Sequence, residues 1–193
     1  DFRTMQYFSC PNQFIATGSS NHNEFMKGRT WMAYRPVHET ECCIGNLHRY
    51  FPNYVARMWM KDKNGHPVAA LYGPSSVVYD LGDGFAVEIN EKTNYPFEEQ
   101  IVFEFEFYKD GVKSEESHKM DFTYRIPQWC SSSEAKGFQT VSKEWKSGDV
   151  FTVRLPMQIE VVDAPVQGKC IQRGPIVYSY AIPANWVEDT DRK

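Results

Sequence analysis

The 193-residue chain has no apolar run approaching the roughly 20 residues needed to cross a bilayer, which excludes a transmembrane helix within it. It also lacks a basic excess. The formal charge is -4, so the positive face that nucleic acid demands is not expected. Cysteine is scarce and odd in number: the five (Cys10, Cys42, Cys43, Cys130 and Cys170) do not make the dense framework of a small secreted scaffold. At least one thiol is therefore unpaired or metal-bound. The opening Asp1-Phe2-Arg3-Thr4-Met5 carries neither the basic nor the apolar region of a signal peptide, so a leader is either lacking or lies upstream. Internal repeats and low-complexity tracts are missing too. What the chain does have is 41% hydrophobic and 15% aromatic residues, enough for a real core in one large domain or one domain plus part of another.

One segment stands out: His38-Glu39-Thr40-Glu41-Cys42-Cys43-Ile44-Gly45-Asn46. Neighbouring cysteines are poor partners for each other, because a bridge between them strains far from normal disulfide geometry. They suit a metal or catalysis, since a cation holds a thiol as the reactive thiolate. A turn at a helix N-terminus aims both sulfurs inward and favours their negative charge. The competing reading is a pair of buried cysteines serving as small apolar residues, and the pattern alone does not separate the two. Glu39 and Glu41 share a face of an extended strand, as ligands, as acid/base groups or as exposed carboxylates ahead of a helix. A closed structural zinc site of both cysteines, His38 and one of these glutamates is a further alternative. Tyr7, Trp31 and Tyr34 suit sugar stacking, but in so aromatic a chain most rings belong to the core.

Residues 1–40 show no clean period and read as loop. Leu47, Tyr50, Phe51, Tyr54, Val55, Met58 and Trp59 then recur at three- and four-residue steps, which predicts an amphipathic helix over Asn46–Met60 that kinks or starts at Pro52 and stops near Gly65. Beyond it the chain reads as strands: Val68–Tyr72, Ser76–Tyr79, Phe85–Asn90, Gln100–Tyr108, Met120–Ile126, Phe151–Leu155 and Ile159–Val162. The strict alternation of Phe103-Glu104-Phe105-Glu106-Phe107 puts one face in the core and one in water. Turn clusters at 81–84, 110–111 and 147–149 separate the runs. The expected fold is mainly β, an antiparallel sandwich over 63–193 preceded by a loop-rich, one-helix region over 1–62.

Glu41-Cys42-Cys43-Ile44-Gly45-Asn46, with Arg49 and Pro52-Asn53-Tyr54-Val55-Ala56-Arg57-Met58-Trp59, resembles the cysteine-pair segment of the β-L-arabinofuranosidases of glycoside hydrolase families 127 and 146. Further landmarks occur in the same order: Arg125-Ile126-Pro127-Gln128-Trp129, Trp145-Lys146-Ser147-Gly148-Asp149, Leu155-Pro156-Met157 and Arg173-Gly174-Pro175-Ile176-Val177-Tyr178. The resemblance implies a retaining, zinc-dependent glycosidase that releases L-arabinofuranose or a related sugar from plant glycans. By position Cys42 is the nucleophile, Cys43 holds Zn2+ with Cys42, and Tyr7 contacts substrate. It further implies that residues 1–62 are the end of an (α/α)6 barrel, and it suggests a bacterial periplasmic or extracellular location. The family's Glu-x-Cys zinc element and its acid/base glutamate precede the cysteine pair. Here Cys10 follows Phe8-Ser9, and Glu39 and Glu41 lie too close to Cys42. The chain is thus expected to be the C-terminal portion of a longer enzyme, inactive without its N-terminal barrel. The alternative is a non-catalytic sandwich that binds glycans or packs against a partner domain. That reading draws on the absence of any catalytic constellation in the strand-rich part.

Overall fold

Ile101, Phe103, Phe105 and Phe107 are fully buried while Glu104 and Glu106 between them reach water, so the alternation in sequence is the alternation of faces in the strand. Glu104 pairs with Lys92 at 2.7 Å and Glu106 with Lys113 at 2.5 Å on that outer face. The computed structural model describes residues 42–130, 134–163 and 168–178, with side chains from Arg49 onward.

In chain order the elements are α1 (Cys42–Val55), β1 (Trp59–Lys61), β2 (Pro67–Ala69), β3 (Ser75–Gly82), β4 (Phe85–Thr93), β5 (Gln100–Lys109), β6 (Val112–Lys113), β7 (His118–Ile126), β8 (Gly137–Trp145), β9 (Val150–Arg154), β10 (Ile159–Asp163), β11 (Lys169–Arg173) and β12 (Ile176–Tyr178). Two compact units emerge. One comprises Phe51–Ile159 with Arg173–Ile176. The other comprises Asp1–Tyr50, Glu160–Gln172 and Val177–Lys193, and the sheet of order β10-β11-β12 lies mostly in it.

The first unit is a sandwich. One sheet has the order β1-β2-β7-β8; the other runs β3-β4-β5, with β6 and β9 both paired to β5. Every pairing is antiparallel except β2 with β7, where Val68 and Ala69 lie opposite Thr123 and Tyr124 in parallel. Two hairpins close through Asp-Gly pairs, Asp83-Gly84 and Asp110-Gly111. All four residues have φ between 49° and 80°, the positive values a tight two-residue hairpin requires. Between β9 and β6 the exposed edge of β5 is met by the 146–149 turn. Phe105 exchanges bonds with Asp149 and Gly148, and the Phe107 amide donates to Ser147 Oγ.

The two sheets meet through rings. Phe103 and Phe105 of β5 pack edge-on against Phe122 of β7 at 5.0 and 5.2 Å, and Phe105 lies 4.3 Å from Trp145 of β8. The Trp145 indole donates to the Met120 carbonyl at 2.9 Å, which satisfies its one polar atom in the core.

Two departures from the sequence-based expectations are informative. The helix begins four residues earlier and ends at Val55, not Met60. Arg57 and Met58 bond back to Tyr54 and Val55 in short i→i+3 steps. Met58 O then accepts the amides of Ala70 and Leu71, and Trp59–Lys61 pairs with β2. Trp59 packs against Phe103 and Tyr79, so ladder bonds and ring burial outweigh helical periodicity there. Gly65, near which the helix is expected to stop, instead sits in the β1–β2 turn at φ 87°. The second departure is β8, absent from the expected strands. It is an edge strand with mostly exposed side chains, so it shows little hydrophobic alternation. Among the described residues no helix is long and apolar enough to cross a membrane.

Candidate functional site

Cys42 and Cys43 are the first two residues of α1. Their backbone therefore sits where unpaired amides and the helix dipole favour an anionic sulfur. Their side chains lie outside the described residues, as do Tyr7, His38, Glu39 and Glu41 entirely. The far end of α1 is fastened by side chains: the Tyr54 hydroxyl donates to the Tyr72 carbonyl at 3.0 Å, and Arg57 donates to Asn53 Oδ1 at 2.7 Å. Of the remaining cysteines with described side chains, Cys130 is buried with its thiol against the Pro156 carbonyl, and Cys170 is half-buried.

Within the sandwich the chemistry-bearing residues fall into three groups. The first surrounds Glu91. Its side chain lies on the core face of β4, in register with Val87 and Ile89, and the residue is only 3% exposed. Gly73 N donates to Oε1 at 2.9 Å, and Ser75 Oγ lies 3.5 Å from Oε2. Ser75 also donates to the Gly73 carbonyl at 2.9 Å and accepts the Trp59 indole N–H at 3.0 Å. Burial raises the Glu91 carboxyl to about 7, against the opposing pull of the Gly73 and Ser75 bonds. A carboxylic acid neutral near pH 7 is the property a general acid needs. This one, however, is bonded to the protein's own backbone and closed off from any substrate. Its role is to tie the 73–75 loop to β4.

The second group is aromatic. Tyr72 meets Tyr95 edge-on at 5.8 Å between ring centres, and Tyr95 in turn stacks on Trp129 at 6.4 Å. The Tyr72 hydroxyl both donates to the Arg125 carbonyl and accepts the Arg125 amide, the latter at 2.9 Å. Burial holds its proton well above the ordinary tyrosine range. Trp129 also approaches the close turn at Gly174, where a Cβ would lie 3.2 Å from its ring and 2.8 Å from Met157.

The third group is an open groove of about 310 Å³ on the outer side of β4 and β5, lined by Lys92, Thr93, Asn94, Glu98, Gln100 and Val102. Its polar lining offers donors and acceptors to a hydroxyl-rich ligand. The described residues also bring Asp62, His66 and Asp121 together, one potential ligand atom from each within 4.8 Å of the others. The sequence reading missed both this trio and Glu91. Glu91 had a usable signal, since the register Val87, Ile89, Glu91 puts it on the buried face. The trio had none, its members being spread over 60 residues.

Residues 68–157 match the family model described as "Beta-L-arabinofuranosidase, GH127 middle domain". Among solved structures, the chain resembles Ara127N-Se, a GH127 β-L-arabinofuranosidase from Geobacillus stearothermophilus T6, with 23% identity and a TM-score of 0.59 over 75% of this chain and 24% of that one. A protein described as a glycoside hydrolase matches at 18% identity and TM-score 0.60, covering 75% and 26%. The GH127 β-arabinofuranosidase BT3674 matches at 20% and 0.57, covering 75% and 27%. The chain thus spans about a quarter of the length of each. No curated protein matches it. The segment that matches the GH127 middle-domain model, residues 68–157, is the one that holds most of the sandwich, with its Asp-Gly hairpins and its aromatic core.

Proposed function

We propose that this chain is part of a retaining, zinc-dependent glycoside hydrolase that releases L-arabinofuranose or a related sugar from plant glycans. The observation that carries the reading is the GH127 match over residues 68–157, in a chain whose α1 opens on Cys42-Cys43. Two soft donors at a helix N-terminus fit zinc by type and by local field. Cys43, with Cys42, would hold the ion, and when bound it supplies positive charge that keeps the sulfur as thiolate.

In this reading the Cys42 thiolate attacks the anomeric carbon. The C–S bond forms as the bond to the departing oxygen breaks, and that oxygen takes a proton from a carboxylic acid. The resulting carboxylate then deprotonates water, which attacks the same carbon. The C–S bond breaks, the thiolate returns, and two inversions give net retention. Tyr7 would contact the sugar. The acid/base carboxylate and the remaining zinc ligands would come from polypeptide of the intact enzyme beyond these 193 residues, so little or no hydrolysis is proposed for this chain alone. A bacterial periplasmic or extracellular site is part of the same proposal.

Replacing Cys42 by Ser in the intact enzyme tests it. Turnover of an aryl β-L-arabinofuranoside should fall by at least about 10³-fold, with the fold unchanged. Near-normal turnover would remove the nucleophile assignment. The polar groove between Lys92 and Val102 favours a second reading, a non-catalytic glycan-binding module. Glycan binding by the full chain carrying Cys42→Ser and Cys43→Ser, lost on altering Lys92 and Gln100, would support that alternative.

A further inference from the structure

We propose that Asp62, His66 and Asp121 form a site for a divalent transition-metal cation of the zinc class, made of none of the residues of the cysteine segment. Asp62 and His66 flank the turn between β1 and β2, and Asp121 lies on β7, the strand with which β2 pairs in parallel. The turn fixes Asp62: its Oδ1 accepts the amides of Asn64 and His66, both at 2.8 Å. That leaves Oδ2, which faces His66 Nδ1 at 3.6 Å, while Asp121 Oδ2 lies 3.8 Å from the same nitrogen.

His66 Nδ1 is a buried atom with no hydrogen-bond partner. Both oxygens are too distant for an N–H···O bond, whose donor and acceptor sit about 2.9 Å apart. An imidazole nitrogen and two carboxylate oxygens therefore converge on a space that none of them closes by bonding to another. Ligands about 2.0–2.2 Å from one tetrahedral ion lie roughly 3.3–3.6 Å from each other, so the two His66–carboxylate spacings need a contraction of only a few tenths of an ångström, and the Asp62–Asp121 spacing, within 4.8 Å, one of at most about 1.5 Å.

The donor set selects the ion. One imidazole with two carboxylates suits zinc and its neighbours, whereas calcium and magnesium favour all-oxygen sites. The three side chains are 25–34% exposed, which leaves an entry path and a fourth position for water. A bound ion would fasten the β1–β2 turn to β7.

The test uses the full 193-residue chain with Cys42→Ser and Cys43→Ser, so that the thiolates do not compete, titrated with ZnCl2 by calorimetry. One saturable equivalent is expected, weakened at least tenfold in His66→Gln and in Asp121→Asn, both of which should unfold at the parent's temperature without metal. Zinc should also raise the parent's melting temperature and move the His66 ring resonances. Should the serine background fail to fold, cobalt binding to the unaltered chain replaces it. The site then requires weak d–d bands lacking thiolate charge transfer that vanish in Asp121→Asn. Zinc binding unchanged in both variants, unmoved His66 resonances, or equal affinity for Ca2+ would overturn the proposal and leave a His–Asp ion pair.

Discussion

Glu91→Gln isolates the most perturbed carboxyl in the sandwich. Ser75 has one hydroxyl proton, already given to the Gly73 carbonyl at 2.9 Å, and its oxygen takes the Trp59 N–H. An ionised Glu91 Oε2 at 3.5 Å is then left with a weak contact, too long for a good O–H···O bond. A protonated Oε2 carries no charge for that weak contact to leave uncompensated in the buried site. The glutamine amide is likewise uncharged, its oxygen accepting from Gly73 and its nitrogen facing Ser75. Folding raises the Glu91 carboxyl from 4.5 to about 7. The native state therefore binds this proton more tightly than the unfolded chain. The associated stability is complete below pH 4.5 and is lost as pH rises toward 7. At about 1.4 kcal/mol per pH unit, the loss reaches about 3 kcal/mol above pH 7. Urea unfolding of both proteins from pH 4 to pH 8 should show Glu91→Gln gaining on the parent by about 3 kcal/mol, with equal m-values. Other groups titrate in both and cancel in the difference. A difference independent of pH would refute the buried, neutral carboxyl.

Phe122→Ala should cost about 3–5 kcal/mol in the same denaturation assay, because that ring touches Phe103, Phe105, Trp145 and Phe151 across both sheets and the cavity cannot collapse. A cost below about 1 kcal/mol would mean the sheets do not meet there. Gly84→Ala meets two penalties, a φ of 76° and a Cβ 2.2 Å from Asp110 Oδ1, whereas Gly65→Ala at φ 87° has nothing within 4 Å. Both should lose about 1 kcal/mol to backbone strain, and Gly84→Ala should lose measurably more; equal values would show that Asp110 swings away freely.

The parts of the fold legible in sequence are those where one physical requirement dominates. The Phe–Glu alternation of β5 admits only a strand with one buried face. The Asp-Gly pairs at 83–84 and 110–111 mark turns because positive φ is cheap there. Legibility fails where a non-local partner decides. Met58 and Trp59 continue the helical period of α1, yet the Ala70 and Leu71 amides and the Phe103 ring, all distant in sequence, draw them into a sheet. β8 is obscure for the opposite reason: an edge strand needs few apolar residues, and its pattern resembles a loop. The cysteine pair is conspicuous by chemical type alone, whatever surrounds it. The register of Glu91 with Val87 and Ile89 marks its face as buried, but the partners it meets there, Gly73 and Ser75 from the preceding loop and strand, are not legible in the sequence.

The two donor sets proposed for this chain differ in a way that lets one experiment separate them. Cys42 and Cys43 offer soft sulfur, which binds as thiolate and releases protons on loading. Asp62, His66 and Asp121 offer one imidazole nitrogen and two carboxylate oxygens. A bulk ratio of zinc per chain cannot tell these sites apart, because either alone gives a value near one. Their order of release can. Mild acid or thiol alkylation should strip the sulfur site while leaving the Asp62–His66–Asp121 site occupied after alkylation, since none of its atoms is a nucleophilic sulfur. Zinc lost entirely on alkylation would assign all binding to the cysteines, and zinc retained in full would assign it to the turn.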